Sequence, residues 1–201
     1  MAPVYKLSTS RLSSRTSYSS MLAGNAAFLP TDFESIATVT VGSGGASNVE
    51  FTSIPNTYTH LQLRIFADTN RTSATVASFN MQFNSDTSAN YSWHELYGNG
   101  TNIGVSTSSN ASYCLLSRVG GSATNTFGSL VVDILDYANT NKYKTIKNLG
   151  GCDANGSGEV SFNSGSWRST SAISSIKFTI NYDATLITQY SSFALYGIKV
   201  A

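Results

Sequence analysis

From residue 33 onward the apolar residues of this chain recur at every second position, and that period most restricts the folds open to it. In HLQLRIFAD, Leu61, Leu63 and Ile65 share one side of an extended strand while Gln62, Arg64 and Phe66 share the other. In ASFNMQFN, Phe79, Met81 and Phe83 alternate with Asn80, Gln82 and Asn84. FESIATVTV, SYCLLSR, TFGSLVVDILDY, KYKTIK, GEVSF, ISSIKFTIN and SSFALYGIKV alternate wholly or in part, with turn residues between them. Strands with one buried and one wetted face belong to antiparallel sheets. No amphipathic helix longer than a turn or two competes, so about eight to ten strands predict an all-β fold, an antiparallel β-sandwich of jelly-roll type. VGSGGASN, VGGSATN and GGCDANGSG read as turns that feed strands at Val49–Phe51, from Phe127 and at Val160–Phe162. The closing SSFALYGIKV is expected to be pinned inside a sheet.

Ahead of this pattern, YKLSTSRLSSRTSYSSMLAGN (5–25) is a run of Ser and Thr with three cations and no acid. Pro30, Asp32 and Glu34 mark its end, so residues 1–31 read as an extended anchoring arm and 32–201 as the sandwich domain. An Arg- and Ser-rich leader without acids is also how an organellar address label looks. Lys6, Arg11 and Arg15 are the candidate partner-binding residues of the arm. They are too sparse for a nucleic-acid tail, and no nucleic-acid partner is expected. The arm carries three of the chain's twelve cations and none of its eleven acids, which leaves the body at −2.

Charged residues make up 11% of the chain, against about 25% in ordinary domains, with Ser, Thr, Asn and Gly in their place. A neutral, hydroxyl-rich surface suits a chain pressed against neighbours, because few charges must be stripped of water there. The plainer reading is a β-protein with uncharged outer faces. About 170 residues beyond the arm bury roughly 70% of their unfolded surface, enough for a real core. No apolar run approaches the roughly 18 residues of a membrane helix, and no secretory apolar stretch is visible, so no membrane partner is expected.

Catalysis has little to work with. His60 and His94 stand in no metal-ligand spacing, and no metal or cofactor is expected. Asp133 and Asp136 point to opposite sides of a strand, which separates them as an acid/base pair. The glycine loops lack the Lys-Ser/Thr of a phosphate cradle, and no Gly-x-Ser-x-Gly elbow occurs. The chain reads as a non-enzyme with no catalytic residues. Cys114, within a strand, and Cys152, within a turn, are expected as free thiols. One cluster is a candidate contact surface: Tyr91, Trp93, His94 and Tyr97 in NYSWHELYGNG, with Trp167 in SGSWRST at a second loop edge. Flat rings beside amides and imidazoles suit a glycan or a protein partner, and they also suit a sandwich core.

SSMLAGNAAFLP leading into FESIATVTVGSGGASNVEFTSIPNTYTHLQLRI, then VVDILDYANTNKYKTI and QYSSFALYGIKV, resembles a group of small β-sandwich virion structural proteins of tailed bacteriophages, particularly those of aquatic bacteria. The resemblance runs through essentially the whole chain. It implies a non-enzymatic virion component, assembled in the host cytoplasm and displayed on the virion surface, and it offers no catalytic residue to carry over. The leading expectation is a capsid cement or decoration protein that contacts the major capsid protein through its arm. The alternative is a tail-fibre or receptor-binding module that contacts tail proteins and, through the Trp93 and Trp167 region, a host glycan. A glycan-degrading enzyme is disfavoured for want of a carboxylate pair. A homotrimer is expected, because capsid lattices offer three-fold positions and closed rings are favoured.

Overall fold

The computed structural model describes residues 33–123 and 125–199, within a compact unit spanning Asp32–Ala201. The arm reading, with Lys6, Arg11 and Arg15, lies outside the described residues. Twelve strands follow one another: β1 (Phe33–Thr40), β2 (Asn48–Phe51), β3 (His60–Ala67), β4 (Val76–Phe83), β5 (Tyr91–Gly98), β6 (Ile103–Ala111), β7 (Cys114–Gly120), β8 (Gly128–Leu135), β9 (Lys144–Asp153), β10 (Gly158–Trp167), β11 (Ile176–Ile180) and β12 (Ser192–Ile198). They form two antiparallel sheets, a large one ordered β1-β12-β3-β8-β9-β10-β5-β6 and a small one ordered β2-β11-β4-β7. The sheets pack face to face as a β-sandwich, with β7 of the small sheet lying against β9 and β10 of the large one. Eight strands in one sheet and four in the other leave the jelly-roll connection of the expectation unestablished.

Alternation sets the core as read. Leu61, Leu63 and Ile65 of β3 and Phe79, Met81 and Phe83 of β4 point inward, and Phe178 and Phe193 close the space between the sheets. β12 lies between β1 and β3, so the final strand is pinned within the large sheet as expected. Its register places Ile198 opposite Phe33, which brings the two described ends of the fold side by side.

Part of the interior is polar. The Arg118 guanidinium, on β7, forks onto Glu95 of β5 at 3.0 and 3.1 Å. It also pairs with Glu159 of β10, donates to the Ser78 hydroxyl at 2.7 Å and lies 5.6 Å from the centre of the Tyr97 ring. Next to it the Ser117 N–H donates to Asn148 Oδ1 at 2.7 Å, and the Ser117 and Ser161 hydroxyls share a hydrogen bond at 2.6 Å. These bonds tie β7 to three strands of the opposite sheet. Because a one-residue slip would strand every member, they fix how the sheets are aligned.

Both thiols are free and buried, Cys114 in β7 and Cys152 near the end of β9. Cys152 is therefore a strand residue; β9 continues through Gly150 and Gly151, which the sequence reading assigned to a turn. Burial pushes the Cys114 thiol up to about 12, and burial followed by the charges of Asp68 and Asp153 raises Cys152. The reacting species is the thiolate. A disulfide-exchange reagent is thus expected to find neither thiol in the native chain at neutral pH and both after unfolding. A fast native reaction would contradict this placement.

Candidate docking face

Strand alternation divides the aromatic cluster that looked like one surface. β5 turns Tyr91, Trp93 and Tyr97 toward the small sheet and His94 outward. Tyr91 and Trp93 are buried, and so is Trp167 at the end of β10. The Tyr91 hydroxyl accepts from the Phe83 N–H at 2.9 Å and donates to the Asp86 carbonyl at 3.2 Å. Trp167 Nε1 donates to Asp86 Oδ2 at 2.8 Å, and its ring packs on Phe83 and Tyr91. Tyr97, half-buried, covers Gly104 so closely that a Cβ there would sit 2.3 Å from the ring. Tyr91, Trp93 and Trp167 are core residues and cannot stack on a ligand in this fold. Of the cluster, His94 alone stands exposed on the outer face.

The polar candidates resolve into local contacts. His60 Nδ1 accepts the Asp136 N–H at 2.9 Å, while the Asp136 carboxylate pairs with Lys142. Asp133 accepts from Gln62 Nε2 at 2.9 Å. The two carboxylates serve separate contacts and share no cleft. Among the described residues no group of three His, Cys, Asp or Glu side chains is placed to hold a metal ion, and no helix is long and apolar enough to cross a membrane.

The outer face of the large sheet exposes a run of large apolar residues. Five apolar residues on five neighbouring strands stand in one cross-strand row: Val105, Leu96, Phe162, Leu149 and Val131. Every one of them is exposed, Val105 to 79%. The row continues through Arg64, Ala194 and Thr38 to the far edge. With strands about 4.8 Å apart, the apolar part alone runs roughly 19 Å. A parallel row takes Ile103, Gly98, Val160, Gly151, Ser129 and Phe66, so large apolar side chains alternate with residues that have little or no side chain. Phe127 stacks on Phe66 with ring centres 4.8 Å apart and walls one end.

The result is a shallow groove of about 1210 Å³ floored by Leu149, Val131, Gly151 and Gly98, with Arg64, Asp153 and Glu159 among its lining groups. Beside it, Leu96, Val105 and Phe162 together with His94, Thr107 and Ser164 enclose a smaller hollow of about 330 Å³. Such a surface can dock a large, flat, apolar partner.

One signal of this face stood in the sequence. SLVVDIL sets Val131 beside Val132, and GEVSF sets Val160 and Phe162 two apart on a strand whose inward residues are Ser161 and Asn163. A strand with apolar residues on both sides, or with its polar side turned inward, needs cover on its outer face as well.

Comparison with protein-family models, with curated proteins and with solved structures finds no match to this chain.

Proposed function

We propose that this chain is a non-enzymatic virion structural protein of a tailed bacteriophage, a capsid cement or decoration protein that seats the outer face of its large sheet on a neighbouring virion protein. The observation that carries the reading is the exposed apolar row Val105, Leu96, Phe162, Leu149 and Val131. Contiguous apolar patches of this extent mark interaction surfaces on soluble proteins. The low charge of the chain supports the same reading, since little hydration is lost when such a surface is covered. The resemblance to phage structural proteins supplies the class of partner, the major capsid protein or a tail protein.

Leu149→Lys and Phe162→Lys test it, each measured by co-sedimentation with capsid shells stripped of this chain. Both side chains are exposed, so stability is expected to stay within about 0.5 kcal/mol. A charge at the centre of a desolvated contact is expected to weaken particle binding at least about thirtyfold, the scale of a hot-spot residue. Undiminished binding by both variants would overturn the face assignment.

The alternative, a tail-fibre or receptor-binding module for host glycans, is supported by the smaller hollow, where the Phe162 ring lies beside His94, Thr107 and Ser164. Glycan-array binding lost in His94→Ala, with no affinity for stripped capsids, would favour it.

A further inference from the structure

We infer that β6 is a self-pairing edge, at which a second copy of this chain adds its own β6 antiparallel across a two-fold axis. The sandwich has four sheet edges, and three of them are guarded. β1 carries a bulge between Ser35 and Ala37, and Glu34 is held there by Lys199 at 3.2 Å and by the Tyr58 hydroxyl at 2.9 Å. β2 is four residues long and includes Glu50. All seven residues of β7 are buried. Short length, charge, bulges and cover are the devices by which natural sheets keep an edge from recruiting another strand.

β6 has almost none of them. It is nine residues long, IGVSTSSNA, with no charged residue and no proline. Its pairing with β5 is regular over Ile103–Ser108, and the bulge is confined to the far end, between the Trp93–Ser108 and Tyr91–Ala111 pairs. Ile103 and Val105 are 83% and 79% exposed, the two most exposed large apolar residues among those described. Among the described residues no strand pairs with its outer side.

The identity and direction of the partner follow from charge. An uncharged strand meets its own copy without like-charge repulsion. The nearest guanidinium, Arg168, bonds Asn110 at the bulged end of β6 at 2.7 Å. Antiparallel pairing sends the two Arg168 side chains to opposite ends of the contact, whereas parallel pairing would set them side by side. The two-fold also continues the apolar row, because Val105 ends it at the edge and the partner's row begins there. Two large sheets become one, and the groove of each copy faces the same side.

A regular stretch of six residues spans roughly 20 Å and, about one sheet thick, covers far less than the roughly 800 Å² per partner of a stable complex. The pair is therefore weak alone and fills as local concentration rises, as it does on a crowded surface. A closed three-fold would instead need β6 to meet a different surface of the next copy.

Sedimentation velocity of the 201-residue chain over a wide concentration range, with amide hydrogen exchange on the same samples, decides the matter. The expected result is a monomer–dimer equilibrium in which exchange of 103–108 slows as dimer fills. Val105→Lys should fold as the parent does, its side chain being exposed, and should move the onset of dimer at least about tenfold higher. Leu149→Lys should leave the dimer intact, which separates this contact from particle docking. A monomer throughout, a trimer, or a dimer indifferent to Val105→Lys would each overturn the inference.

Discussion

Replacing Arg118 with methionine is expected to remove roughly 3–5 kcal/mol of stability, the cost of leaving buried carboxylates without their cation. Arg118 and Glu95 are 7% and 2% exposed in their side chains and Glu159 is 13%, so water cannot take over the lost pairing. The substitution also removes the donor to Ser78 and the cation over Tyr97. Urea unfolding measures the loss directly. The companion variant, Arg118→Met with Glu95→Gln and Glu159→Gln, should recover most of it, because the penalty arises from unpaired charge more than from a missing attraction. A single variant as stable as the parent would show that the three groups are wetter than the geometry makes them.

Trp167→Ala is expected to cost about 3–5 kcal/mol through the cavity it opens beneath Phe83 and Tyr91. It also alters the acid limb of stability. Burial pushes the Asp86 carboxyl up, but hydrogen bonds from Asn90, Trp167 and Ser88 outweigh it and hold the group below the usual carboxylate range. Stability from a carboxylate so lowered is present above its unfolded pKa and is lost as pH falls through the folded value. Without the Trp167 N–H the folded pKa moves up toward the unfolded one, so this contribution should shrink and its loss should be complete at higher pH. Thermal unfolding at several pH values reads both effects. The result also bears on the glycan alternative, since a Trp167 variant that fails to bind a sugar would report a damaged core and not a missing stacking ring.

The sequence made most of the sandwich legible and little of its contact surface. Period-two alternation in HLQLRIFAD and ASFNMQFN placed the inward faces of β3 and β4 correctly, because each has one plainly apolar side. β5 escaped because YSWHELYG buries Tyr91, Trp93 and Glu95 on one side and exposes His94 and Leu96 on the other, so neither side is uniformly apolar. Its aromatics looked like a surface cluster along the chain, and the pleat turns Tyr91, Trp93 and Tyr97 inward and leaves His94 outside. β6 escaped for a related reason: an edge strand has little to bury, and IGVSTSSNA reads as a hydroxyl-rich loop. Beyond the outward Val160 and Phe162 and the paired Val131 and Val132, the docking face stayed hidden because cross-strand rows depend on register, and Val105, Phe162 and Val131 fall into line only once β5 and β9 lie between their strands.

The meeting of Phe33 with Ile198 has a mechanical consequence. A pull applied between the two ends of the described fold would bear on one corner and peel β1 from β12 bond pair by bond pair, an unzipping geometry that yields at lower force than shearing whole strands past one another. That corner is also the edge farthest from β6, seven strand intervals or roughly 34 Å away across the large sheet. A passenger protein fused after β12 would hang from the β1–β12 side of the large sheet and leave the β6 side clear.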